Sequence, residues 1–393
     1  MSSSTISFIT LVLSAMLMQS ASEIYAPSLP HMAEELGTTL NMTQMTLAIY
    51  MVGASLTQLI YGPLSDVYGR RPPLIFGVLI FLVGTFICLS ANSIETLLLG
   101  RFVQGIGAGA PAGLWRTIFR DLYHGPELAK YASYLTIIIS LVFPLSPALG
   151  GFFESNFGWK ASFLFIAVYT GILIMLLVFK FEETNRTLRT TGMSLKSVAC
   201  GYLELLKTPL FIGSTGLTFL AYGTMFSSVA TTPILFIELM DTNPLEFGWI
   251  ICLTATIGMS NAGWINGRLV GRFGVNTMLR LGFGIMCFVG VLMGGAYLLV
   301  GFHKITMILS LALLYFGIGF IFSNAFAKAF TPLKKNIGFA GALYGFIQMS
   351  GGAVLGMITS YLPDTSPLPL AVMIIVCSCA GWGLVGFLKR VEQ

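Results

Sequence analysis

The sequence predicts an all-α membrane protein with twelve spanning helices. Hydrophobic residues make up 55% of the 393 residues and charged residues only 9%, whereas a soluble domain has about 25% charged residues. A spanning helix needs about 20 mostly apolar residues, and runs of that length fill most of the chain, which leaves no room for a soluble catalytic domain. The predicted spans are residues 5–26, 42–61, 73–91, 96–118, 130–151, 160–180, 209–237, 247–267, 275–299, 305–327, 338–360 and 368–388.

The first apolar run, residues 5–26, has the length of either a signal peptide or a spanning helix. No lysine or arginine lies between Met1 and Ser22, so the basic stretch that opens a signal peptide is missing. We therefore expect an uncleaved first helix.

The loop between the second and third spans is short and charged. Residues 62–72 read Gly-Pro-Leu-Ser-Asp-Val-Tyr-Gly-Arg-Arg-Pro. Glycine and proline allow a sharp turn, and the loop places one acid at the end of one helix and two bases before the next. We predict a gating role for Gly62, Asp66, Gly69, Arg70 and Arg71.

Two charged residues lie inside predicted spans, Glu23 in the first and Arg101 in the fourth. Burying a charge in the membrane costs about 2.5–3.5 kcal/mol on insertion scales and usually marks function. Both lie at a similar depth. A dry site raises the pKa of a carboxyl and a nearby guanidinium lowers it, so an acid that moves between the two environments can bind and release a proton. We therefore predict that Glu23 and Arg101 act together as a proton-coupling pair. The alternatives are that Glu23 reaches the outer headgroups and that Arg101 only binds backbone carbonyls.

Residues 105–109 in the fourth span read Gly-Ile-Gly-Ala-Gly. They follow no β-strand and lie in an apolar run, so we interpret them as a close helix-packing face rather than a phosphate-binding loop.

The longest connector, residues 181–208, divides the chain into two sets of six spans. We predict an N-terminal six-helix bundle over residues 1–180, a cytoplasmic linker over 181–208 and a C-terminal bundle over 209–393. Residues 266–274, Asn-Gly-Arg-Leu-Val-Gly-Arg-Phe-Gly, repeat a Gly/Arg loop at the equivalent place in the second half. This echo indicates an internal duplication.

The basic residues are distributed unevenly between the two sides of the membrane. With the N-terminus inside, the outer connectors contain only Lys160 and Lys304, and the other lysines and arginines of the connectors lie inside. We therefore expect both termini in the cytoplasm. The same bias explains the net charge of +5, so we expect no nucleic-acid partner.

Six cysteines and three histidines are spread along the chain without metal-ligand spacing. We expect no metal site and no cofactor.

Four motifs resemble those of known transporters. Residues 62–72 resemble the loop between helices 2 and 3 of the major facilitator superfamily. Residues 22–30, Ser-Glu-Ile-Tyr-Ala-Pro-Ser-Leu-Pro, resemble the first-helix signature of its drug–proton antiporters, especially the Bcr/CflA-like branch. Residues 101–109 are similar to the fourth-helix motif, whose arginine is linked to proton transfer, and residues 144–151 resemble the fifth-helix antiporter motif.

The resemblance implies the major facilitator fold and adds site residues. Residues 116–121 match the R-x3-R-D ending of the fourth helix, which implies gating by Arg116, Arg120 and Asp121. The antiporter motif is represented by Pro144, Pro147, Gly150 and Gly151. Two departures are Glu23, where this branch usually has aspartate, and Ser146, where the antiporter motif has glycine before proline.

Polar or amphipathic residues in otherwise apolar runs are candidates for a substrate cavity, and the many phenylalanines and methionines provide an adaptable apolar surface. The alternative for each is helix packing or lipid contact. The predicted substrate-binding residues are Tyr25, Gln58, Tyr134, Tyr222, Asn261, Asn324 and Gln348.

The sequence and the resemblance together predict a monomeric transporter in the bacterial inner membrane that exports small amphipathic compounds in exchange for protons. Alternatives with the same fold are a dedicated metabolite or siderophore exporter and a proton-coupled importer. A membrane receptor or embedded enzyme is disfavoured, because the sequence shows neither a long exposed domain nor a catalytic arrangement of side chains.

Overall fold

The computed structural model describes residues 3–123, 125–185, 195–331, 333 and 337–392, so residues 186–194 of the predicted linker lie outside the described residues. The described residues form α-helices, with a 3₁₀ turn at Ala26–Ser28 and a π-helical turn at Ile234–Glu238. The helices are α1 (Ser3–Glu23), α2 (Leu29–Glu35), α3 (Leu40–Tyr68), α4 (Arg71–Leu89), α5 (Ile94–Leu122), α6 (Gly125–Phe157), α7 (Lys160–Phe179), α8 (Leu195–Leu206), α9 (Pro209–Pro233), α10 (Pro244–Phe273), α11 (Val275–Val300), α12 (Lys304–Phe330), α13 (Ile337–Ser360) and α14 (Leu368–Val391).

Local sequence explains several helix ends. The side chains of Thr39, Ser93 and Asn243 accept backbone hydrogen bonds at the starts of α3, α5 and α10, as short polar residues do at helix N-caps. Gly69, with φ +91°, ends α3, and Gly274, with φ +79°, separates α10 from α11. The two Gly/Arg loops of the sequence therefore end their helices in the same way, with a glycine in a conformation that other residues rarely adopt.

The structure contains more elements than the predicted spans. Helix α1 ends at Glu23 and is followed by the 3₁₀ turn and the short helix α2. Pro27 and Pro30 each lie in the first turn of one of these two elements. The predicted linker, which we expected to be only a polar connector, contains the helix α8. Within α6, Pro144 and Pro147 lie inside one continuous helix.

Nine helices of the described chain are long and apolar enough to cross a membrane. Neither α5 nor α10 belongs to this group, since they contain glycines and polar residues such as Gln104 and Asn261. The protein is thus an all-helical multi-pass membrane protein.

The helices up to α7 pack mainly on one another, and so do the helices from α9 to α14. The two sets meet where α3 lies against α13 and α6 lies against α10. Glycines allow the closest approaches: a Cβ on Gly53 would lie 2.7 Å from the carbonyl oxygen of Phe102. Residues 105–109 serve the same purpose, because Gly105 and Gly109 face the backbone of α3. Their interpretation as a packing face is confirmed.

The two ends of the bundle are called the motif face and the distal face. The motif face is the side where the Gly69 loop lies beside the end of α5 and the start of the linker, marked by Arg70, Asp121 and Glu183. The distal face is the opposite side, marked by His31 and Glu154.

Candidate functional site

A cavity of about 310 Å³ lies between the two helix sets. It is enclosed by α1 and α5 from the first helix set and by α9, α10, α12 and α13 from the second. A site built from both sets changes shape whenever one set moves against the other, which is the arrangement that an alternating-access transporter requires.

The cavity surface is mainly apolar and rich in methionine. Unbranched, polarisable methionine side chains adapt to ligands of different shapes, so this lining suits amphipathic molecules. Among the described residues its apolar members include Met16, Met18, Trp115, Tyr222, Met225, Met259, Phe322 and Met349. Its polar members are Gln19, Arg116, Thr256, Ser260 and Gln348.

The cavity includes two of the seven predicted substrate-binding residues, Tyr222 and Gln348. Arg116, which was predicted to act in the gate, instead lines the cavity, with its guanidinium 4.4 Å from the ring of Trp115. Its position in the R-x3-R-D ending of the fourth helix did not show which face of α5 it occupies. It is the only charged side chain in the described lining.

The structure places the other five candidates outside the described lining. Tyr25 and Gln58 are buried between helices, and Asn324 donates a 2.6 Å hydrogen bond to Asn266. Tyr134 is 47% exposed, and Asn261 is exposed and bonds to its own helix. Their positions favour packing or surface roles, because polarity in an apolar run does not specify which face of a helix a residue occupies.

Glu23 ends α1 and is almost completely buried, with 1% of its surface exposed. Its carboxylate accepts a 2.8 Å hydrogen bond from the amide of Gln19, one helical turn earlier. Gln19 itself lines the cavity. The carboxylate is therefore outside the cavity but connected to it through one amide. The signal in the sequence was the i, i+4 spacing of the two residues.

Arg101 is fully buried and does not form an ion pair with Glu23, so their predicted direct pairing is not present in this structure. Its guanidinium donates to the carbonyl oxygen of Ala21 at 3.2 Å and to the side chain of Gln104. It lies 4.1 Å from the ring centre of Tyr50 and 4.5 Å from that of Tyr25.

Aromatic rings thus satisfy part of the Arg101 charge by cation–π contact. One guanidinium nitrogen, Nη2, is buried without a partner in the described chain. Tyr25 is one of these rings, and the hydrogen bond between its hydroxyl and Thr46, at 2.9 Å, fixes the ring beside the guanidinium. The first-helix motif therefore helps to form the pocket around the Arg101 guanidinium.

The charged loop at the motif face forms a compact network around Arg70, which is 8% exposed. Its guanidinium bonds to Asp66 at 2.5 Å, to Asp121 at 2.9 Å and to the hydroxyl of Ser65 at 2.7 Å. Burial alone lowers the pKa of Arg70, but the bonds to Asp121 and Asp66 outweigh burial and raise the pKa above its ordinary value. The network therefore ties the end of α3 to the end of α5.

Glu183, at the start of the linker, completes this network and was not predicted from the sequence. Its carboxylate accepts hydrogen bonds from the backbone nitrogens of Arg70 at 2.7 Å and Arg71 at 3.0 Å. A Cβ on Gly69 would collide with this carboxylate, so Gly69 is needed for both its positive φ and the space. Partners that lie 113 and 112 positions apart in the chain leave no local signal.

The other predicted gating residues lie around the same loop. Arg71 donates to the carbonyl oxygen of Leu177 at 3.0 Å and so binds the end of α7. Arg120 lines a separate cavity of about 370 Å³ together with Asp66 and Asp121. Gly62 faces α13, where a Cβ added to this glycine would lie 3.8 Å from the Cβ of Ala342.

The antiporter-motif residues lie in the contact between α6 and α10, towards the distal face. A Cβ on Gly248 would be 2.5 Å from the carbonyl oxygen of Pro147, and one on Gly151 would overlap the carbonyl oxygen of Pro244. Gly150 packs in the same way on the carbonyl oxygen of Ile24. Pro144 is buried one turn before Pro147.

Hydrogen bonds join the helix sets at the distal face, among them the following two. Ser155 donates to Asn243 at 3.2 Å, and Asn41 donates to the carbonyl oxygen of Ser360 at 2.6 Å. Because each bond crosses between the sets, separation of the sets at this face must break both.

Membrane-spanning helices around a central, methionine-lined cavity define a membrane transporter rather than an enzyme. The sequence model of the Major Facilitator Superfamily matches residues 11–357. The chain belongs to this superfamily.

Curated relatives match nearly the whole chain. The Bicyclomycin resistance protein homolog of Haemophilus influenzae is 27% identical over 95% of this chain and 94% of its own length. Multidrug resistance protein D of Escherichia coli is 28% identical over 92% of this chain and 90% of its own length.

A solved structure shows the same fold. A peptide transporter, POT, crystallised in complex with alafosfalin, superposes with a TM-score of 0.76 at 14% identity, covering 98% of this chain and 94% of its own. At that identity the likeness concerns the fold alone.

Proposed function

We propose that this transporter exports small amphipathic compounds across the bacterial inner membrane in exchange for protons. Two relatives are named for drug resistance, and the methionine-rich cavity suits substrates of varied shape. In this proposal residues 1–180 and 209–393 are two six-helix bundles joined by residues 181–208. Twelve spans would put both termini on the same side of the membrane, and the excess of lysine and arginine in the connectors on that side favours a cytoplasmic location for the termini and for the motif face.

The observation that carries the proposal is the Gln19–Glu23 hydrogen bond. An ionised Glu23 accepts from the Gln19 amide, which leaves the Gln19 carbonyl oxygen available to the cavity. A protonated Glu23 can instead donate to that oxygen, and the amide NH₂ then faces the cavity. Protonation would thereby change the hydrogen-bonding character of the cavity wall without a charge entering the cavity.

The direction of coupling follows from this relay. A proton that enters from outside would bind Glu23, change the wall at Gln19 and favour release of substrate; it would leave to the cytoplasm after the helix sets have moved. Each inward proton contributes about 2.3 kcal/mol per 100 mV of membrane potential. The relay needs no cofactor.

Arg101 has a positioning role in this proposal. Its bond to the carbonyl oxygen of Ala21 fixes the last turn of α1, two residues before Glu23.

A dedicated exporter of an anionic metabolite is a second candidate, and the position of Arg116 favours it. This cation is the only charged residue of the described cavity lining, so an acidic substrate would be held more strongly than a cationic one.

Proton movement in everted membrane vesicles tests the proposal. Addition of substrate to energised vesicles should release protons from their lumen if the protein is an antiporter, whereas symport would move protons and substrate in the same direction. A lipophilic cation, a neutral amphiphile and an organic anion should be compared, since transport of the anion alone would support the second candidate. Absence of any substrate-dependent proton movement would overturn proton coupling.

A further inference from the structure

A second cavity, of about 450 Å³, opens at the motif face within the second helix set. It lies where the start of α11, the end of α12 and the end of α14 converge. The central transport cavity does not include its residues. Its polar lining consists chiefly of Asn276, Thr277, Arg280, Lys328, Lys389 and Glu392.

The charge of this basic pocket is positive. Three cations, Arg280, Lys328 and Lys389, face one carboxylate, Glu392, so positive charge is in excess. Lys328 is already neutralised, because its ammonium bonds to Glu392 at 2.7 Å and to Asn276 at 2.6 Å. The excess charge therefore resides on Arg280 and Lys389.

Arg280 lacks a partner where one is needed. Its Nε atom is buried and has no hydrogen bond within the described chain. A buried donor without an acceptor destabilises the site, so binding of an external acceptor is favoured here. The missing group is an anion or a strong oxygen acceptor.

An apolar groove of about 420 Å³ continues from this pocket along the surface of α11. The two share Thr277 and Arg280, so the groove begins where the charges end. Its remaining lining is apolar: Leu281, Gly284, Ile285, Phe288 and Trp382.

The groove faces the lipid side of the molecule. Phe288 is 58% exposed and Trp382 is 47% exposed on helices that are apolar enough to cross the membrane. From Leu281 to Phe288 the helix rises about 10 Å, compared with about 15 Å for the hydrocarbon of one leaflet. Gly284 keeps the groove open, because a Cβ there would lie 3.2 Å from the ring of Trp382.

We propose that this composite site binds an anionic phospholipid, with the phosphate between Arg280 and Lys389 and one acyl chain in the groove. A free phosphate would leave the groove unused, and a zwitterionic lipid would not match the excess positive charge. In the proposed orientation the lipid belongs to the cytoplasmic leaflet, whose anionic lipids favour basic sites. The bound lipid would join α11 to α14 at the motif face.

Lipid retention by the purified full-length protein tests the proposal. Native mass spectrometry and thermal unfolding in neutral detergent should be compared after addition of phosphatidylglycerol, phosphatidylcholine or inorganic phosphate. Phosphatidylglycerol alone should be retained and should raise the unfolding temperature. Equal protection by phosphatidylcholine would overturn the charge selectivity. Equal protection by inorganic phosphate would show that the pocket binds an anion without using the groove, and would overturn the lipid proposal.

Matched variants locate the site. Arg280→Gln and Lys389→Gln should each weaken phosphatidylglycerol binding about fivefold, whereas Arg390→Gln, an exposed cation outside the pocket, should not. Lys389 is exposed, so Lys389→Gln should fold normally. This variant therefore tests the site even if Arg280→Gln impairs folding.

The groove has its own control. Gly284→Leu should reduce lipid retention by filling the groove, whereas Gly295→Leu, on the same helix with open space around it, should not. Phosphatidylglycerol binding that is unchanged in Lys389→Gln and in Gly284→Leu would place the lipid elsewhere and overturn the proposal.

Discussion

At the scale of single residues, the proposed function depends on how two buried charges are satisfied. Glu23 accepts a hydrogen bond from Gln19, which lines the cavity, and is connected to the cavity in this way. Arg101 bonds to backbone and aromatic groups of α1 and α3. Both charges could be identified from the sequence, because ionisable residues inside spans are rare. Their partners could not, because partner choice depends on the rotation of each helix.

Glu23→Gln should abolish transport driven by a pH gradient while substrate binding persists. Glutamine retains the size and hydrogen bonding of glutamate but cannot titrate. The measurement is substrate efflux from proteoliposomes with and without an imposed pH gradient, together with binding of the same substrate in detergent.

Glu246→Gln is the matched control for this variant, because Glu246 is a carboxylate of a surface ion pair with Lys304. It should transport as the wild type does. If Glu23→Gln still builds a substrate gradient from the pH gradient, another group carries the proton.

Arg101→Lys should lower both stability and coupling. A lysine ammonium cannot reproduce the planar guanidinium that binds Ala21 and Gln104 while stacking between Tyr25 and Tyr50. We expect a loss of about 2–4 kcal/mol of unfolding free energy, by analogy with loss of buried charged hydrogen bonds and packing.

Thermal unfolding and the ratio of protons to substrate should be measured on the same Arg101→Lys preparation. A lower unfolding temperature with an unchanged ratio would reduce Arg101 to a purely structural residue. A changed ratio in the folded fraction would support its positioning of Glu23.

At the scale of elements, the Gly69 loop acts as a joint between α3, α5 and the linker. Asp66→Asn should impair turnover while membrane insertion stays intact, because it weakens one of the two carboxylate bonds that hold Arg70. Asp121 remains, so the effect should be partial; a charged hydrogen bond contributes about 1.5–3 kcal/mol. The rate of efflux at saturating substrate is the measurement.

Asp364→Asn, in the connector between α13 and α14, provides the control with the same chemical change. Asp66→Asn should be slower than Asp364→Asn at equal amounts of protein in the membrane. Equal rates would contradict the gating role of the loop.

The end of α14 is held by a second charged contact, between Glu392 and Lys328. Burial raises the pKa of Glu392, but the bonds to Lys328 and Asn276 and the charge of Lys328 together outweigh burial, so the pKa lies below its ordinary value. A carboxylate whose pKa is lowered by folding stabilises the fold above its unfolded pKa, about 4.3, and this contribution is lost as the pH falls through the folded value.

Glu392→Gln should therefore lower the unfolding temperature at pH 7, and the difference from the wild type should shrink below about pH 4.3. Thermal unfolding at a series of pH values gives the comparison, with Glu238→Gln as the control at the opposite end of the bundle. A difference that is independent of pH would show that the ionised carboxylate does not stabilise this end.

At the scale of the whole molecule, transport requires the two helix sets to separate at one face at a time. The distal contact between α6 and α10 depends on glycine, since Gly248 leaves no space for a side chain beside Pro147. Gly248→Val should force these helices apart, favour the distally open state and slow efflux. The measurement is the distance between spin labels attached at the exposed positions Phe157 and Leu239, which leaves the Ser155–Asn243 hydrogen bond intact.

Gly263→Val is the control, because this glycine of α10 has open space around it. It should leave the label distance and the efflux rate unchanged. An unchanged distance in Gly248→Val would contradict the role of this contact in closing the distal face.

Particular residues show how much of the fold and of the candidate site could be predicted from the sequence. Composition and apolar runs predicted a multi-pass helical protein, and the motif at residues 62–72 indicated the superfamily that the family model confirms. The prediction that this whole motif is a loop was wrong, because α3 continues through Pro63 to Tyr68. Asp66 and Arg70 were predicted to act in the same gate, but only the structure shows that they pair with each other. Glu183 and Gln19 were missed, and Arg116 was assigned to the gate although it lines the cavity.

The sequence by itself determined the class of this protein, because the hydrophobic thickness of a bilayer and the cost of a buried charge act on each span separately. Tertiary structure alone decided which polar side chains share the cavity, why Arg101 turns to aromatic rings instead of Glu23, and where a basic pocket joins an apolar groove. These features depend on the rotation and close approach of helices that are far apart in the chain. Packing between pairs of helices determines the rotation and the distance.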